Sequence, residues 1–79
     1  MAKEIHDGGW KDLVGYVVEE VFEANAMMYV VLLMHEKTGS RLMLLERSYR
    51  SGLWHLLFEP TDEEIEIAKR SPWTIWNGR

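Results

Sequence analysis

The chain has no cysteine, so disulfides and thiolate metal sites are excluded. It is short of cations: 9 Lys and Arg face 13 Asp and Glu, a net charge of −4. That balance weighs against general binding to nucleic acid or to an anionic membrane surface, both of which need cations set against phosphates. No apolar run is long enough to cross a membrane; the longest, Ala26 to Met34, falls far short of the ~20 residues required. No apolar stretch follows Met1-Ala2-Lys3-Glu4 that would serve as a signal peptide, and the expectation is a soluble, cytoplasmic protein. Repeats, linkers and low-complexity segments are absent. One domain over 1–79 is expected, with residues 1–10 as a loose lead-in and 71–79 as a C-terminal tail.

Residues suited to catalysis are equally sparse. His6, His35 and His55 are scattered, and His35-Glu36 has no second histidine at the spacing of a zinc protease. No serine stands in a nucleophile elbow, and Gly39-Ser40 reads as turn chemistry. Gly8-Gly9 and the isolated glycines lack the pattern of a phosphate-cradling loop. No catalytic residue, metal site or cofactor is therefore expected. A small oligomeric enzyme is carried only as a second alternative.

What the chain does have is apolar surface. Almost half of it is hydrophobic, with 5 Met and 4 Trp among its 79 residues. A chain this short buries only about 60% of the surface its unfolded form exposes. Burial and oligomerisation must supply its stability.

Residues 11–24 place Leu13, Val14, Val17, Val18, Val21 and Phe22 on one half of a helical wheel. Asp12, Tyr16, Glu19, Glu20 and Glu23 fall on the other half. This pattern predicts a helix that stops at Asn25. The valines lower helix propensity, and a bent strand is the alternative reading. Residues 26–36 and 41–48 predict a hairpin around the turn Lys37-Thr38-Gly39-Ser40. A second turn, Tyr49-Arg50-Ser51-Gly52, leads to a strand over 53–58 that Pro60 ends. Thr61-Asp62-Glu63-Glu64 is a capping box and predicts a helix over 62–70, which Pro72 closes. The expected fold is α+β: a three-stranded antiparallel meander between an N-terminal and a short C-terminal helix, followed by a tail with Trp73 and Trp76.

The hairpin strands do not alternate apolar and polar residues, as a sheet with one solvated face would. Met28, Val30, Leu32 and Met34 share one face; Met27, Tyr29, Val31 and Leu33 share the other. Both faces need cover. Two helices cover one, which leaves the tail, with Trp73, Trp76 and Trp10, or a second subunit for the other. The expected interaction residues are Met27, Tyr29, Val31, Leu33, Trp54, Trp73 and Trp76. Charged rims add an acidic stripe, Asp12, Glu19 and Glu23, and a basic turn region, Arg41, Arg47, Tyr49 and Arg50.

The order α-β-β-β-α resembles the double-stranded-RNA-binding domain over most of the chain. That likeness implies a nucleic-acid-binding module as an alternative function. It departs at the second helix, where the family has a lysine-rich motif and this chain has Asp62-Glu63-Glu64. Acidic residues around an antiparallel sheet are also similar to small viral inhibitors that imitate DNA, such as those of uracil-DNA glycosylase. The leading expectation is a non-enzymatic interaction protein, a regulator or inhibitor of phage or mobile-element type. It would act on a protein partner, either its own copy in a homodimer or a host protein.

Overall fold

The computed structural model describes residues 3–4, 13–50 and 52–78. Four strands form an antiparallel meander: β2 (Tyr16–Asn25), β3 (Met28–His35), β4 (Arg41–Tyr49) and β5 (Gly52–Phe58). A two-residue strand, β1 (Lys3–Glu4), lies antiparallel beside β5, giving the order β1-β5-β4-β3-β2. Helices α1 (Asp62–Arg70) and α2 (Pro72–Asn77) follow. The fold is α+β. No helix among the described residues is long and apolar enough to cross a membrane.

The helix expected over 11–24 is not formed. Its described part is dominated by β2, an edge strand whose partner is β3. The cause is an irregular register. Val18 pairs with Leu33, but Glu20 pairs with Leu32, so Glu19 is an extra residue on β2. Such a bulge shifts the two-residue alternation by one. Val18 and Val21, three apart, then share a face, as they would on a helix. Pairing with β3 satisfies the backbone of β-branched residues better than a helix would. Asn25, expected to stop the helix, instead opens the β2–β3 turn, its Oδ1 accepting from the Met27 backbone N–H at 3.0 Å. Without an N-terminal helix and with a fourth meander strand, the α-β-β-β-α order is lost. The topological resemblance to the double-stranded-RNA-binding domain goes with it.

The hairpin, the strand after it and α1 follow the sequence closely, whereas residues 72–77 of the expected tail form α2. The Thr61 hydroxyl accepts from Glu64 N–H at 3.1 Å, and the Glu64 carboxylate accepts from Thr61 N–H at 2.9 Å. Asp62, Glu63 and Glu64 stand in the first turn of α1 and Lys69 and Arg70 in the last, both favourable to the helix dipole.

One sheet face carries Val30, Leu32, Met43, Leu45 and Phe58 against Ile65, Ala68 and Ile75 of the helices. Phe22, Trp54, Leu56, Ile67 and Trp76 pack around this cluster. Val30, Leu32, Met43 and Leu45 are its largest fully buried side chains. Each such burial contributes about 1.5–3 kcal/mol.

The tail is one of the two covers expected for the opposite face, the other being a second subunit. The tail does not cover it; Ile75 and Trp76 join the cluster under α1. Ser71 alone joins the two helices. Its N–H donates to the Ile67 carbonyl at 2.7 Å and its carbonyl accepts from Thr74 N–H at 3.0 Å. A one-residue hinge leaves no length to carry α2 around the sheet edge. Trp76 Nε1–H then donates to the Tyr29 carbonyl at 3.1 Å, tying α2 to β3.

Candidate interaction face

The sheet face away from the helices is built in rows by the strand register. Val21, Val31, Leu44 and Leu57 run across β2, β3, β4 and β5. Val18, Leu33 and Leu42 form the next row, and Tyr16 beside His35 a third. Toward the β2–β3 turn the chemistry changes. There Glu23 pairs with Tyr29, Tyr29 with Glu46, and Glu46 with His55. The face thus has an apolar floor ending in a polar row with two carboxylates.

A cavity of about 670 Å³ opens over this floor, lined in part by Leu13, Tyr16, Val18, Val21, Val31 and Leu44, and at its polar end by Tyr29, Glu46 and His55. Val31, Leu33, Leu44 and Leu57 form a second buried cluster, with Leu13, Tyr16 and Leu42 against it. The β2 side is different: Val18 is 60% and Val21 55% exposed, while Val31 is 8% exposed. Burial therefore falls away toward the sheet edge, leaving a ledge of exposed valine. A cavity of this size, mostly apolar with a few polar groups at one end, has the make-up of a binding site.

The polar groups are placed as follows. His55 is buried, with Nε2 at 3.8 Å from Glu46 Oε1, too long for a hydrogen bond but within ion-pair range when the imidazole is protonated. The Tyr29 hydroxyl donates to the Ala26 carbonyl at 3.2 Å. His35 serves the β3–β4 turn. Its Nδ1 accepts from the backbone N–H of Lys37 at 3.1 Å and of Thr38 at 3.4 Å, and its ring meets Tyr16 edge-on at 5.0 Å. No group of three or more His, Asp and Glu among the described residues could hold a metal ion.

Of the residues expected to interact, Tyr29, Val31 and Leu33 lie on this face. Met27 does not; it sits in the turn before β3, half-exposed. Trp54 and Trp76 belong to the helix side, their rings 5.5 Å apart. Trp73 is half-exposed on α2. The acidic stripe is dispersed. Asp12 and Trp10 lie outside the described residues, Glu23 is in the polar row, and Glu19 is bound to Arg41.

That last pair is bidentate, with Arg41 Nε donating to Glu19 Oε1 at 2.9 Å and Nη2 to Oε2 at 3.2 Å. The Glu19 hydrogen bonds first, and its charge second, hold the guanidinium pKa above its ordinary value. The basic region is split as well. Arg41 begins β4, while Arg47 and Tyr49 end it, stacked at 4.8 Å, with Arg50 in the turn beyond. A smaller polar cavity of about 390 Å³ lies beside Arg41, Glu59 and Asp62.

Sequence reasoning missed Leu13, Tyr16, Val18, Val21, Leu44, Glu46 and His55 as lining residues. Leu44 and His55 were within reach, because their strand parity matches Val31. Val18 and Val21 were hidden by the bulge. The chain matches no protein-family model, no curated protein and no solved structure, so the site is read from its own residues.

Proposed function

We propose that this chain is a non-enzymatic protein-interaction module that takes up an apolar segment of a partner on the sheet face away from its helices. One observation carries the reading: the valine ledge of β2, Val18 and Val21, stands exposed beside a cavity whose floor is buried and apolar. Exposed apolar surface next to a preformed apolar cavity is what a docking segment needs. Such a module regulates by occupancy, covering whatever surface it takes up.

Val21→Glu tests the proposal at low structural cost, because the side chain is already half in water. The chain has no native cysteine, so a Val14→Cys variant accepts one photocrosslinker beside the ledge. The expected result is a defined crosslinked species in the source cell, or a crosslinked dimer if the partner is a second copy. Val21→Glu should remove it and Trp73→Ser, on the helix side, should leave it. A crosslinked species that survives Val21→Glu in a folded protein refutes the reading.

A further inference from the structure

We infer that the segment taken up on this face carries a cationic side chain, lysine or arginine, beside its apolar residues, and that this cation lies over Tyr29 between Glu23 and Glu46. The inference rests on the binding reading above and adds the chemistry of the partner. It starts from the row Glu23, Tyr29, Glu46, His55 at the polar end of the face. Neighbouring strands are about 4.8 Å apart, so the two glutamates flank the tyrosine at roughly equal distance on either side.

Neither carboxylate is neutralised by a lysine or arginine among the described residues. Glu46 has only the His55 imidazole, at 3.8 Å. The nearest arginine on β4 is Arg47, next in sequence, and strand alternation turns it to the helix side, where it stacks on Tyr49. Of the other acids of β2, Glu20 lies opposite Leu32 on the helix side and Glu19 is occupied by Arg41. Glu46 at the edge of the cavity and Glu23 across Tyr29 from it thus have no lysine or arginine partner among the described residues.

Tyr29 is fixed from below and from its tip. Its carbonyl accepts from Trp76 and its hydroxyl donates to the Ala26 carbonyl. A ring held in this way between two acids offers a cation both a π-face and charge on each side. An anionic segment would meet repulsion at the same place, and a wholly apolar one would leave the carboxylates to be desolvated without return.

The test uses the full chain and three matched probes: naphthylethylamine, naphthylethanol and naphthylpropanoate. Binding is followed by amide shifts at Val21, Tyr29 and Val31. The amine should bind about tenfold more tightly than the alcohol, the sum of two partly exposed ion pairs and a cation–π contact, and the propanoate should bind most weakly. Glu23→Gln with Glu46→Gln should bring the amine to within about twofold of the alcohol and leave the alcohol unchanged. Glu63→Gln, on α1, should alter nothing. Equal binding of amine and alcohol by the unaltered chain refutes the cation and leaves the apolar docking face standing. If the paired Gln variant weakens all three probes alike, the glutamates are structural and the inference also falls. If no probe shifts those amides, the docking face itself is refuted along with it.

Discussion

Gly15 and His35 set a quantitative test of how β2 is seated. Gly15 has φ +88°, and a Cβ added there would overlap His35 Nε2 and stand 3.1 Å from both Cδ2 and Cε1. Gly15→Ala therefore carries two costs. The left-handed backbone costs about 1–2 kcal/mol for a residue with a Cβ. His35 must also move, giving up its Nδ1 bonds to the backbone of Lys37 and Thr38, about 0.5–1.5 kcal/mol each. Its edge contact with Tyr16 goes too, at about 0.5–1.5 kcal/mol. The sum is about 2.5–6.5 kcal/mol. Gly39 is the control. Its φ is +75°, but nothing lies within 4 Å of the added Cβ, so Gly39→Ala bears the backbone cost alone. For a domain of this size each kcal/mol lowers Tm by about 4–8 °C. Gly15→Ala should fall by about 15 °C or more and Gly39→Ala by about a third of that, read by circular dichroism melts. Adding His35→Ala to Gly15→Ala should recover part of the loss by clearing the space. Equal melting of the two glycine variants would refute the close approach of Gly15 to His35.

Two further outcomes follow from local chemistry. Thr61→Ala removes one half of the capping box and should cost about 1 kcal/mol in urea unfolding, with Thr61→Ser recovering most of it. Glu19→Gln weakens a solvent-exposed bridge to Arg41 and should lower Tm only slightly. The sign of its pH dependence is fixed. While its carboxylate partner is charged, a raised guanidinium pKa stabilises the fold below the ordinary arginine value and loses that effect in strong alkali. The stability difference between Glu19→Gln and the unaltered chain should therefore be the same at pH 6 and pH 9, measured by thermal melts at both.

Much of the C-terminal two-thirds is legible because local chemistry there agrees with the fold. Gly39 supplies a left-handed turn residue, Thr61 and Glu64 close a capping box, and Pro72 occupies the first turn of α2. Continuous apolar strands correctly announce buried residues on both faces, from Val30 and Leu32 to Val31 and Leu44. Two features were not legible. The position of α2 depends on the conformation of Ser71, a single residue whose φ and ψ no local pattern fixes. The nature of β2 depends on an extra residue in its pairing, which only the partner strand defines. The docking face inherits this second difficulty. Val18 and Val21 are three apart, which is helical spacing, and only the register brings them to the same side as Val31.

Deleting Glu19 should decide whether the bulge is the reason. Upstream of it Val18 faces the cavity, and downstream Glu20 faces the helix side. Removing the extra residue joins these two directly, and they already alternate. Every side chain of β2 then keeps its face, and the strand pairs regularly from Tyr16 to Glu23, leaving only the shift before Asn25. The protein should fold, with its far-ultraviolet spectrum retained and a modest fall in Tm from loss of the Arg41 bridge. Deleting Val21 instead joins Glu20 to Phe22, which both face the helix side. Either the upstream residues slip and send Val18 away from the cavity, or the bulge absorbs the loss and puts Glu20 opposite Val31 in place of Val21; both set a wrong side chain on the cavity face, and a much larger fall in Tm is expected. The Glu19 deletion has a second consequence. Bulges and charged side chains keep an edge strand from pairing with another chain. A straightened β2 with one glutamate fewer should associate edge to edge, giving a concentration-dependent rise in apparent mass on sizing columns. A helix over these residues predicts no such ranking. There either deletion turns the upstream residues by about 100° about the axis, so the two variants should be damaged alike.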